Sequence, residues 1–234
     1  MSAENTDFEQ VYQGRSPLGG TVPWDIKAPQ PALVALEGAG GFRGEVLDVG
    51  CGLGENAVFL ASRGHHVTGV DGAPTALREA RARAAAKGLE ISFEVADATR
   101  LEGFEGRFDT VLDSALYHCL TEEQRRSYVA ALVRVTRPGA RLHLLCFSEA
   151  VPVSFPGPFR IGERNLRETV GRGWRITSLD PALYTTSLTL EELRDAARTI
   201  QPGEAGDLTA LDELEQDEQG RIRAPAWQLA AERA

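Results

Sequence analysis

Short apolar runs alternate with polar and glycine-containing breaks along this chain from about residue 30 onward. Short runs rich in β-branched residues predict strands, and longer stretches rich in Ala and Arg predict helices. The predicted helices cover residues 31–36, 57–61 and 75–87, and the predicted strands cover residues 46–49, 66–71, 91–95, 108–113, 142–147, 174–179 and 226–230. Strands that alternate with helices in this way indicate a doubly wound α/β fold with a parallel sheet.

Two capping boxes mark helix starts in the second half of the chain. Thr121 and Gln124 have the required spacing, and Pro138-Gly139 is expected to end that helix before the fifth strand. Thr189 begins a second capping box and an acidic segment, residues 189–223, which we expect to be a helical insertion before the last strand. No linker divides the chain, so residues 1–234 are predicted to form a single domain.

The most informative motif is a glycine-rich turn after the first strand. Gly50, Gly52 and Gly54 are separated by single residues, and Asn56 follows at the start of the next helix. Glycine allows positive φ and close approach of a ligand to the backbone, because no Cβ intervenes. Asp48, inside the strand, would attract a cationic group and repel the pyrophosphate of a dinucleotide. The motif predicts a cofactor site that uses all five residues.

Three further acids stand at predicted strand ends. Asp71 ends the second strand and precedes Gly72, and a carboxylate at this place can accept hydrogen bonds from both hydroxyls of a ribose. Asp97-Ala98 follows the third strand, where a carboxylate can accept from an adenine amino group. Asp113 ends the fourth strand and faces the crevice in which such sheets bind ligands. Each acid alone could be a cap or turn former, but together with the glycine turn they predict a cofactor pocket.

The glycine motif resembles motif I of the class I S-adenosylmethionine (SAM) methyltransferases. The resemblance implies SAM as the cofactor and a Rossmann-like fold, whose sheet has seven mostly parallel strands with the last one antiparallel. Residues 23–26 (Pro-Trp-Asp-Ile) and 112–118 (Leu-Asp-Ser-Ala-Leu-Tyr-His) extend the resemblance to the thiopurine methyltransferase-like branch. Enzymes of that branch act on thiols, halides and heteroaromatic rings.

The N-terminal residues are expected to form a lid. In the thiopurine methyltransferase-like branch the N-terminal Trp region folds over the bound cofactor, which implies a lid in residues 1–30 and a cofactor contact by Trp24. Phe8 and Tyr12 are spaced to share one face of a lid helix. For Phe8 we expect only packing of the N-terminus onto the core.

Composition argues against several function classes. The net charge of -9 disfavours a nucleic-acid binder, because affinity for the phosphate backbone needs Lys and Arg. No apolar run approaches a membrane span and no export signal is evident, so we expect no membrane partner and a cytoplasmic location. The three cysteines lack metal-ligand spacing, which predicts reduced thiols and no metal site. We expect a small-molecule acceptor as the partner and a monomer or homodimer.

The resemblance implies methyl transfer to a heteroatom of a small aromatic or heteroaromatic molecule, with sulfur favoured over nitrogen or oxygen. His118 is the candidate general base, because an imidazole ordinarily titrates near neutral pH. Alternatively, His118 only orients its loop or a ligand. Asp113 could position the substrate or the amino-acid end of the cofactor.

Two other functions stay open at this point. One is a SAM-binding protein that uses the cofactor for non-methylating chemistry. The other is an NAD-dependent oxidoreductase, because Gly52, Gly54 and Ala57 also satisfy the dinucleotide pattern GxGxxG/A. The acid in the first strand and the lack of a Tyr-x-x-x-Lys pair disfavour the oxidoreductase.

Overall fold

A mixed β-sheet with the strand order β3-β2-β1-β4-β5-β8-β6 forms the centre of the protein, and the two-residue β7 pairs with β8. The computed structural model describes residues 6–200 and 208–233. In this part of the chain the strands are β1 (Glu45–Val49), β2 (His66–Asp71), β3 (Ser92–Val95), β4 (Phe108–Ser114), β5 (Thr136–Phe147), β6 (Trp174–Thr189), β7 (Glu215–Gln216) and β8 (Arg221–Arg233). Strands β1 to β5 are parallel, whereas β8 is antiparallel to β5 and β6. The predicted fold class, with its antiparallel last strand, is confirmed.

Helices cover both faces of this sheet. In the described residues they are α1 (Phe8–Tyr12), α2 (Pro31–Gly38), α3 (Glu55–Ser62), α4 (Pro74–Ala86), α5 (Glu122–Val135), α6 (Glu163–Val170) and α7 (Leu190–Ile200). Leu47 and Val49 of β1 share a buried cluster with α5 and α6, whereas Val46 shares another with α2, α3 and α4. Successive side chains of a strand point to opposite faces, so β1 contributes to both cores.

The two capping boxes form as predicted. At the start of α5 the Gln124 amide donates to Thr121 Oγ1 at 3.3 Å, and the Thr121 amide donates to Gln124 Oε1 at 2.8 Å. At the start of α7 the Thr189 amide donates to Glu192 Oε2 at 2.8 Å, and the Glu192 amide donates to Thr189 Oγ1 at 3.4 Å. Each box satisfies two amide groups that a helix start leaves without partners.

Strand β5 begins earlier than predicted. It starts at Thr136, directly after α5, so Pro138-Gly139 lies inside the strand. The pairing of β5 with β4 shifts at this point, and Gly139 has a φ of +75°. The prediction that Pro138-Gly139 separates the helix from the strand is wrong, because a shift in the pairing accommodates a proline that cannot donate to the ladder.

Strands β6 and β8 are also longer than the predicted residues 174–179 and 226–230. The prediction was too short because a proline interrupts the apolar pattern of each strand. The two strands pair from Trp174 with Arg233 to Thr189 with Arg221. Pro181 lies in β6, which is the edge strand, where a missing N–H donor is tolerated. Pro225 of β8 lies just beyond the residues that pair with β5.

The acidic segment 189–223, which we predicted to be a helical insertion before the last strand, is helical in part. It contains α7, a 3₁₀ helix (Thr209–Glu213) and β7, and its last residues belong to β8. Residues 201–207 lie outside the described part of the chain. Its β7 and the first residues of β8 are strands, which the prediction of a helical insertion did not include.

The sheet places a crevice at the carboxyl ends of β1 to β4. The chain order reverses between β1 and β4, and such switch points are where doubly wound sheets bind ligands. The N-terminal segment lies beside it, because the Ser187 amide of β6 donates to the Pro23 carbonyl at 2.7 Å. Among the described helices, none has the length and apolarity needed to cross a membrane.

Candidate active site

A cavity of about 630 Å³ occupies this crevice, within the size range of small-molecule sites. Its floor is formed by the carboxyl ends of the parallel strands, and α1 with the segment around Trp24 forms its roof. The predicted site residues on its wall are Trp24, Gly50, Asp71, Gly72, Asp97, Ala98 and His118. Asp48, Gly52, Gly54, Asn56 and Asp113 are not among the lining residues.

The three glycines of the turn serve different purposes. Gly50 has a φ of +69° and lines the cavity. A Cβ on Gly52, where φ is +51°, would lie 2.7 Å from the Tyr12 hydroxyl, so the lid covers this residue. A Cβ on Gly54 would lie 2.8 Å from Ala80 Cβ, so Gly54 allows α4 to pack closely. Of the three glycines, Gly50 is the one that a ligand in the cavity can approach directly.

Asp71 connects the glycine turn to the end of β2. Its Oδ2 accepts from the Gly52 amide at 2.8 Å, and its Oδ1 accepts from the Ala73 amide at 2.8 Å. Burial raises the pKa of Asp71 above its ordinary value, and the backbone amides oppose this rise. A Cβ on the next residue, Gly72, would meet open space. The carboxylate is therefore held rigidly at the cavity wall, with lone pairs left for a ligand.

Asp97 lies on the wall at the end of β3. Its Oδ1 accepts from the Thr99 amide at 2.8 Å and from the Thr99 hydroxyl at 2.7 Å. This turn fixes the carboxylate beside Ala98, which also lines the cavity. A polar ligand edge at this place would meet a carboxylate that is already oriented.

Asp48 and Asn56 lie behind the wall. Asp48 is 1% exposed, and its Oδ2 has no hydrogen-bond partner. Burial and then the charges of Asp71 and Asp113 raise the pKa of Asp48 to about 7, whereas the Ala57 amide lowers it. Asn56 Oδ1 accepts from the Gln30 amide at 3.4 Å, so Asn56 links α3 to the N-terminal segment. The structure thus gives both residues supporting positions instead of the predicted ligand contacts.

Asp113 is a buried anchor beneath the cavity. Its Oδ1 accepts from the amides of Leu116 at 2.9 Å and Tyr117 at 3.2 Å, and its Oδ2 accepts from the Tyr128 hydroxyl at 2.8 Å. Burial raises the pKa of Asp113 to about 6, and these hydrogen bonds oppose the rise. We predicted that Asp113 faces the ligand, but its carboxylate points inward and fixes the turn that carries His118.

The roof of the cavity is aromatic. Trp24 Nε1 donates to the Tyr12 hydroxyl at 2.9 Å, and the rings of Tyr12 and Phe8 meet the Trp24 ring edge-on at 5.8 and 5.7 Å between centroids. All three residues line the cavity. We had expected Phe8 only to pack the N-terminus onto the core, but its ring also forms part of the cavity wall.

An ion-pair cluster fixes the segment that carries Trp24. Arg83 of α4 binds both carboxylate oxygens of Asp25, at 3.0 and 2.9 Å, and also Glu55 of α3 at 2.8 Å. The side chains of Arg83 and Asp25 are only 13% and 5% exposed, so solvent screens this pair weakly. The chain therefore anchors the lid to two helices of the fold.

The other half of the cavity is apolar and aromatic. The Phe147 ring meets the rings of Phe155 and Tyr184 edge-on, at 5.4 and 5.7 Å between centroids. Leu188 and Ala196 complete this wall. The sequence offered a signal for Phe147, which ends a predicted strand, but none for Phe155 in a Pro-Gly loop or for Tyr184 beyond the predicted strand.

His118 lies between the two halves. It is 3% exposed, and its Nδ1 accepts from the Phe147 amide at 2.8 Å. This hydrogen bond requires the tautomer with its proton on Nε2. Burial and then the charge of Arg125 lower the pKa of His118 to about 3. At neutral pH the ring is thus a neutral donor whose lone pair is engaged, and it is poorly suited to be the base that we predicted.

The charged residues of the wall fit SAM better than a dinucleotide. Asp7, Glu9, Asp71 and Asp97 line the cavity on the side of the lid and the strand ends. These carboxylates suit an ammonium group and ribose hydroxyls. No Lys or Arg is among the described residues of the wall, so nothing there would neutralise a pyrophosphate.

The comparisons with known proteins agree with this chemistry. Residues 46–139 match the family described as Methyltransferase domain. The 2-heptyl-1-hydroxyquinolin-4(1H)-one methyltransferase of Mycobacteroides abscessus is 36% identical over 231 residues, which is 97% of this chain and 96% of that protein.

Two solved structures share the fold. One comes from work on the conversion of a disulfide bond into a thioacetal group during echinomycin biosynthesis; it is 38% identical, with a TM-score of 0.79 over 97% of this chain and 91% of its own. A SAM-dependent methyltransferase from Methanosarcina mazei, at 19% identity, has a TM-score of 0.60 over 81% of this chain and 92% of its own. The chain belongs to the class I SAM-dependent methyltransferases, and its cofactor is SAM.

Proposed function

We propose that this enzyme transfers the methyl group of SAM to a heteroatom of a small, flat heteroaromatic molecule. The observation that carries the proposal is the division of the cavity into an acid-lined half and an aromatic half. The first suits the amino-acid and ribose groups of SAM, and the second suits a planar apolar acceptor. His118 lies where the two halves meet.

The relatives support this class of acceptor. The Mycobacteroides abscessus protein acts on a hydroxyquinolinone, which is a flat bicyclic with oxygen nucleophiles. The structure related to echinomycin concerns sulfur chemistry. Sulfur, nitrogen and oxygen therefore all stay in the proposal, with sulfur first as the family resemblance implies. Membership of the thiopurine methyltransferase-like branch stays a prediction.

The residues of this chain would bind and orient the reactants. SAM, when bound, supplies a methyl group on a positively charged sulfur, and an acceptor lone pair displaces that sulfur in one step. Asp71 and Asp97 are proposed to hold the ribose and adenine, and Trp24 to close the lid. Orientation of two reactants can lower a barrier by up to roughly 7–11 kcal/mol, so no covalent catalysis by the protein is needed.

A methyl-transfer assay tests the proposal. The protein is incubated with SAM and, separately, with a thiophenol, a phenol, an aminoheteroarene and 2-heptyl-1-hydroxyquinolin-4(1H)-one, and products are identified by mass spectrometry. We expect a methylated product and equimolar S-adenosylhomocysteine for at least one acceptor. SAM binding by calorimetry without product from any acceptor would favour non-methylating chemistry. Binding of NAD in place of SAM would favour an oxidoreductase.

Two variants of one loop test the aromatic half of the cavity, which we call the acceptor half. Phe155→Ala removes a buried ring of the aromatic wall and should raise the KM for the acceptor roughly tenfold, with the affinity for SAM unchanged. Val153→Ala, at a residue that is 82% exposed in the same loop, is the matched control and should change neither. Equal effects of the two variants would place the acceptor elsewhere.

A further inference from the structure

Carboxylates are segregated within the cavity. The four acids of its wall all belong to the lid or to the ends of β2 and β3, whereas the titratable residues at the boundary and in the other half are His118, Cys119 and Tyr184. Burial raises the pKa of the Cys119 thiol and of the Tyr184 phenol above their ordinary values, so both are neutral at pH 7. The acceptor half therefore contains neutral groups and no carboxylate among its described residues.

Arg125 is a buried cation next to this half. It is 7% exposed, and its Nε donates to the Tyr117 carbonyl at 3.2 Å, one residue from His118. Its guanidinium lies over the rings of Tyr117 and Phe159, at 5.4 and 5.0 Å from the centroids. The Phe159 amide donates to the His118 carbonyl at 2.9 Å, so Phe159 contacts both the Arg125 guanidinium and the backbone of His118.

Arg125 is not paired directly with an acid. Its Nη2 is buried without a hydrogen-bond partner, and none of the ion pairs among the described residues includes Arg125. Asp113, the buried acid nearby, uses both oxygens for two amides and the Tyr128 hydroxyl. Buried charges are ordinarily paired, so this site is missing an anion.

The surrounding charged groups do not supply that anion. On α5, the charge of Glu122 acts on Arg125, but its carboxylate pairs directly with Arg126 at the surface. Glu123 is exposed. In the loop after β5, Arg160 is bound by backbone carbonyls, and Glu149 accepts from Trp227 Nε1 at 2.9 Å. A ligand in the acceptor half is the remaining source.

We propose that the acceptor binds as an anion, with His118 Nε2 donating a hydrogen bond to its charged atom and Arg125 acting behind His118 as the buried counter-charge. The inference rests on the proposed function and narrows its substrates to acidic heteroatom nucleophiles, such as thiols, acidic phenols and N-hydroxy heteroaromatics. The acceptor loses its proton to bulk solvent before transfer. Its lone pair then forms the new bond to carbon as the carbon–sulfur bond breaks, and the methylated product is neutral.

This arrangement removes the need for a base. His118 cannot take the proton at Nε2, because Nε2 already carries one and Nδ1 is engaged by the Phe147 amide. Arg125 does not line the cavity, so it is a positioning residue that acts through its field. In a site of low dielectric an unpaired cation stabilises the ionised acceptor more strongly than water would.

The experiment measures the pKa of a bound acceptor without turnover. Nitrophenols and nitrothiophenols of graded acidity change their absorption on ionisation, and S-adenosylhomocysteine replaces SAM to prevent methyl transfer. With the wild-type protein we expect the bound pKa to fall by one unit or more below the value of the free probe. An unchanged or raised bound pKa would overturn the inference, as would failure of every ionisable probe to bind in the presence of S-adenosylhomocysteine.

Variants identify the source of the shift. Arg125→Met should raise the bound pKa by about one unit relative to wild type, and Arg125→Lys should retain part of the shift. Arg126→Met, on the exposed face of the same helix, is the matched control and should have no effect. Equal behaviour of Arg125→Met and Arg126→Met would overturn the role of Arg125.

A second pair of variants, both at His118, tests the inference if circular dichroism shows that Arg125→Met does not fold. His118→Asn keeps an acceptor for the Phe147 amide and a donor for the ligand, so it should keep most of the shift. His118→Phe removes the donor and should weaken binding of the ionised probe roughly tenfold, with little effect on a neutral analogue. A larger loss in His118→Asn than in His118→Phe would contradict the inference.

The failure of this inference can be told apart from the failure of the proposed function. Methyl transfer with an unshifted bound pKa would refute this inference alone, whereas absence of transfer to all acceptors would refute the proposed function.

Discussion

The hydroxyl of Tyr12 lies 2.7 Å from the position that a Cβ on Gly52 would take. The same hydroxyl accepts a hydrogen bond from Trp24 Nε1 at 2.9 Å. The glycine turn and the lid are therefore in direct contact, and a side chain at residue 52 would displace the lid as well as strain the turn. A cofactor held between them depends on both.

Gly52→Val should abolish SAM binding and leave the fold intact. The branched side chain would push Tyr12 away, and a φ of +51° is unfavourable for valine. Calorimetry with SAM and far-UV circular dichroism measure the two effects. Gly88→Val is the control, because Gly88 also has positive φ, +65°, but a Cβ there would meet open space. If Gly52→Val binds SAM as tightly as the wild type does, the glycine turn is not part of the SAM site.

Asp71→Ala should weaken SAM and S-adenosylhomocysteine equally, by about 1.5–3 kcal/mol, which is usual for hydrogen bonds to a charged group. Both ligands have the ribose that this carboxylate is proposed to bind. Part of the loss will come from the glycine turn, because Asp71 also accepts from the Gly52 amide. Asp180→Ala, at an exposed residue of β6, is the control in the same titrations. If Asp71→Ala binds SAM and S-adenosylhomocysteine as tightly as the wild type does, Asp71 only caps the turn and does not bind the ribose.

Arg83→Met should weaken SAM binding by roughly 3–10-fold and change kcat much less. The variant removes the paired hydrogen bonds to Asp25, next to Trp24, and so loosens the lid without touching the acceptor half. Steady-state kinetics at saturating acceptor separate the two parameters. Arg81→Met is the matched change on α4, since Arg81 bonds a backbone carbonyl and no acid. A loss confined to kcat would contradict the role of Arg83 in holding the lid.

Asp48→Asn should make the ligand-free protein more stable at high pH. The pKa of Asp48 rises from 3.8 to about 7 on folding, so the folded state keeps a proton that the unfolded state releases. The free energy of unfolding of the wild type should thus fall as the pH rises through this interval. Above it, the variant should gain roughly 1–4 kcal/mol. Urea unfolding across this range measures the difference.

Asp109 provides a control of opposite sign for that experiment. Hydrogen bonding by the Glu45 amide is the largest effect on the pKa of Asp109 and lowers it, and Arg137 adds to the effect. Its contribution to stability is present above the ordinary carboxyl pKa and lost as the pH falls through the folded-state value. Asp109→Asn should therefore destabilise the protein at neutral pH and lose this effect in acid. Parallel pH profiles for the two variants would argue against the buried, protonated state of Asp48.

The sequence predicted the parallel half of the fold well and the antiparallel half poorly. Strand β2 begins and ends where we predicted, because it is a β-branched run with clear breaks on both sides. Strands β6 and β8 were predicted too short, because Pro181 and Pro225 look like breaks unless the edge of the sheet and the end of β5 are known. Tertiary context decided these boundaries.

The same limit applies to the site. The glycine motif placed Gly50, and the predicted strand ends placed Asp71 and Asp97, correctly at the end of the sheet, since strand ends are visible in the apolar pattern. It could not show that the carboxylate of Asp113 points inward to Tyr128, because the direction of a side chain depends on its packing. Nor could it show that the Phe147 amide fixes the tautomer of His118, because the two residues are distant in sequence.

Glu9 gives the lid a second partner at the start of α4. Its carboxylate accepts from the Thr75 amide at 3.0 Å and from the Thr75 hydroxyl at 2.5 Å. Ala73, at the N-cap of this helix, has no side-chain acceptor that could cap it. An opened lid would leave this amide group without its carboxylate. Amide hydrogen exchange at Thr75 would therefore report how often the roof opens, in the free protein and without any substrate. The exchange rate in the first turn of α4 therefore measures how accessible the cavity is.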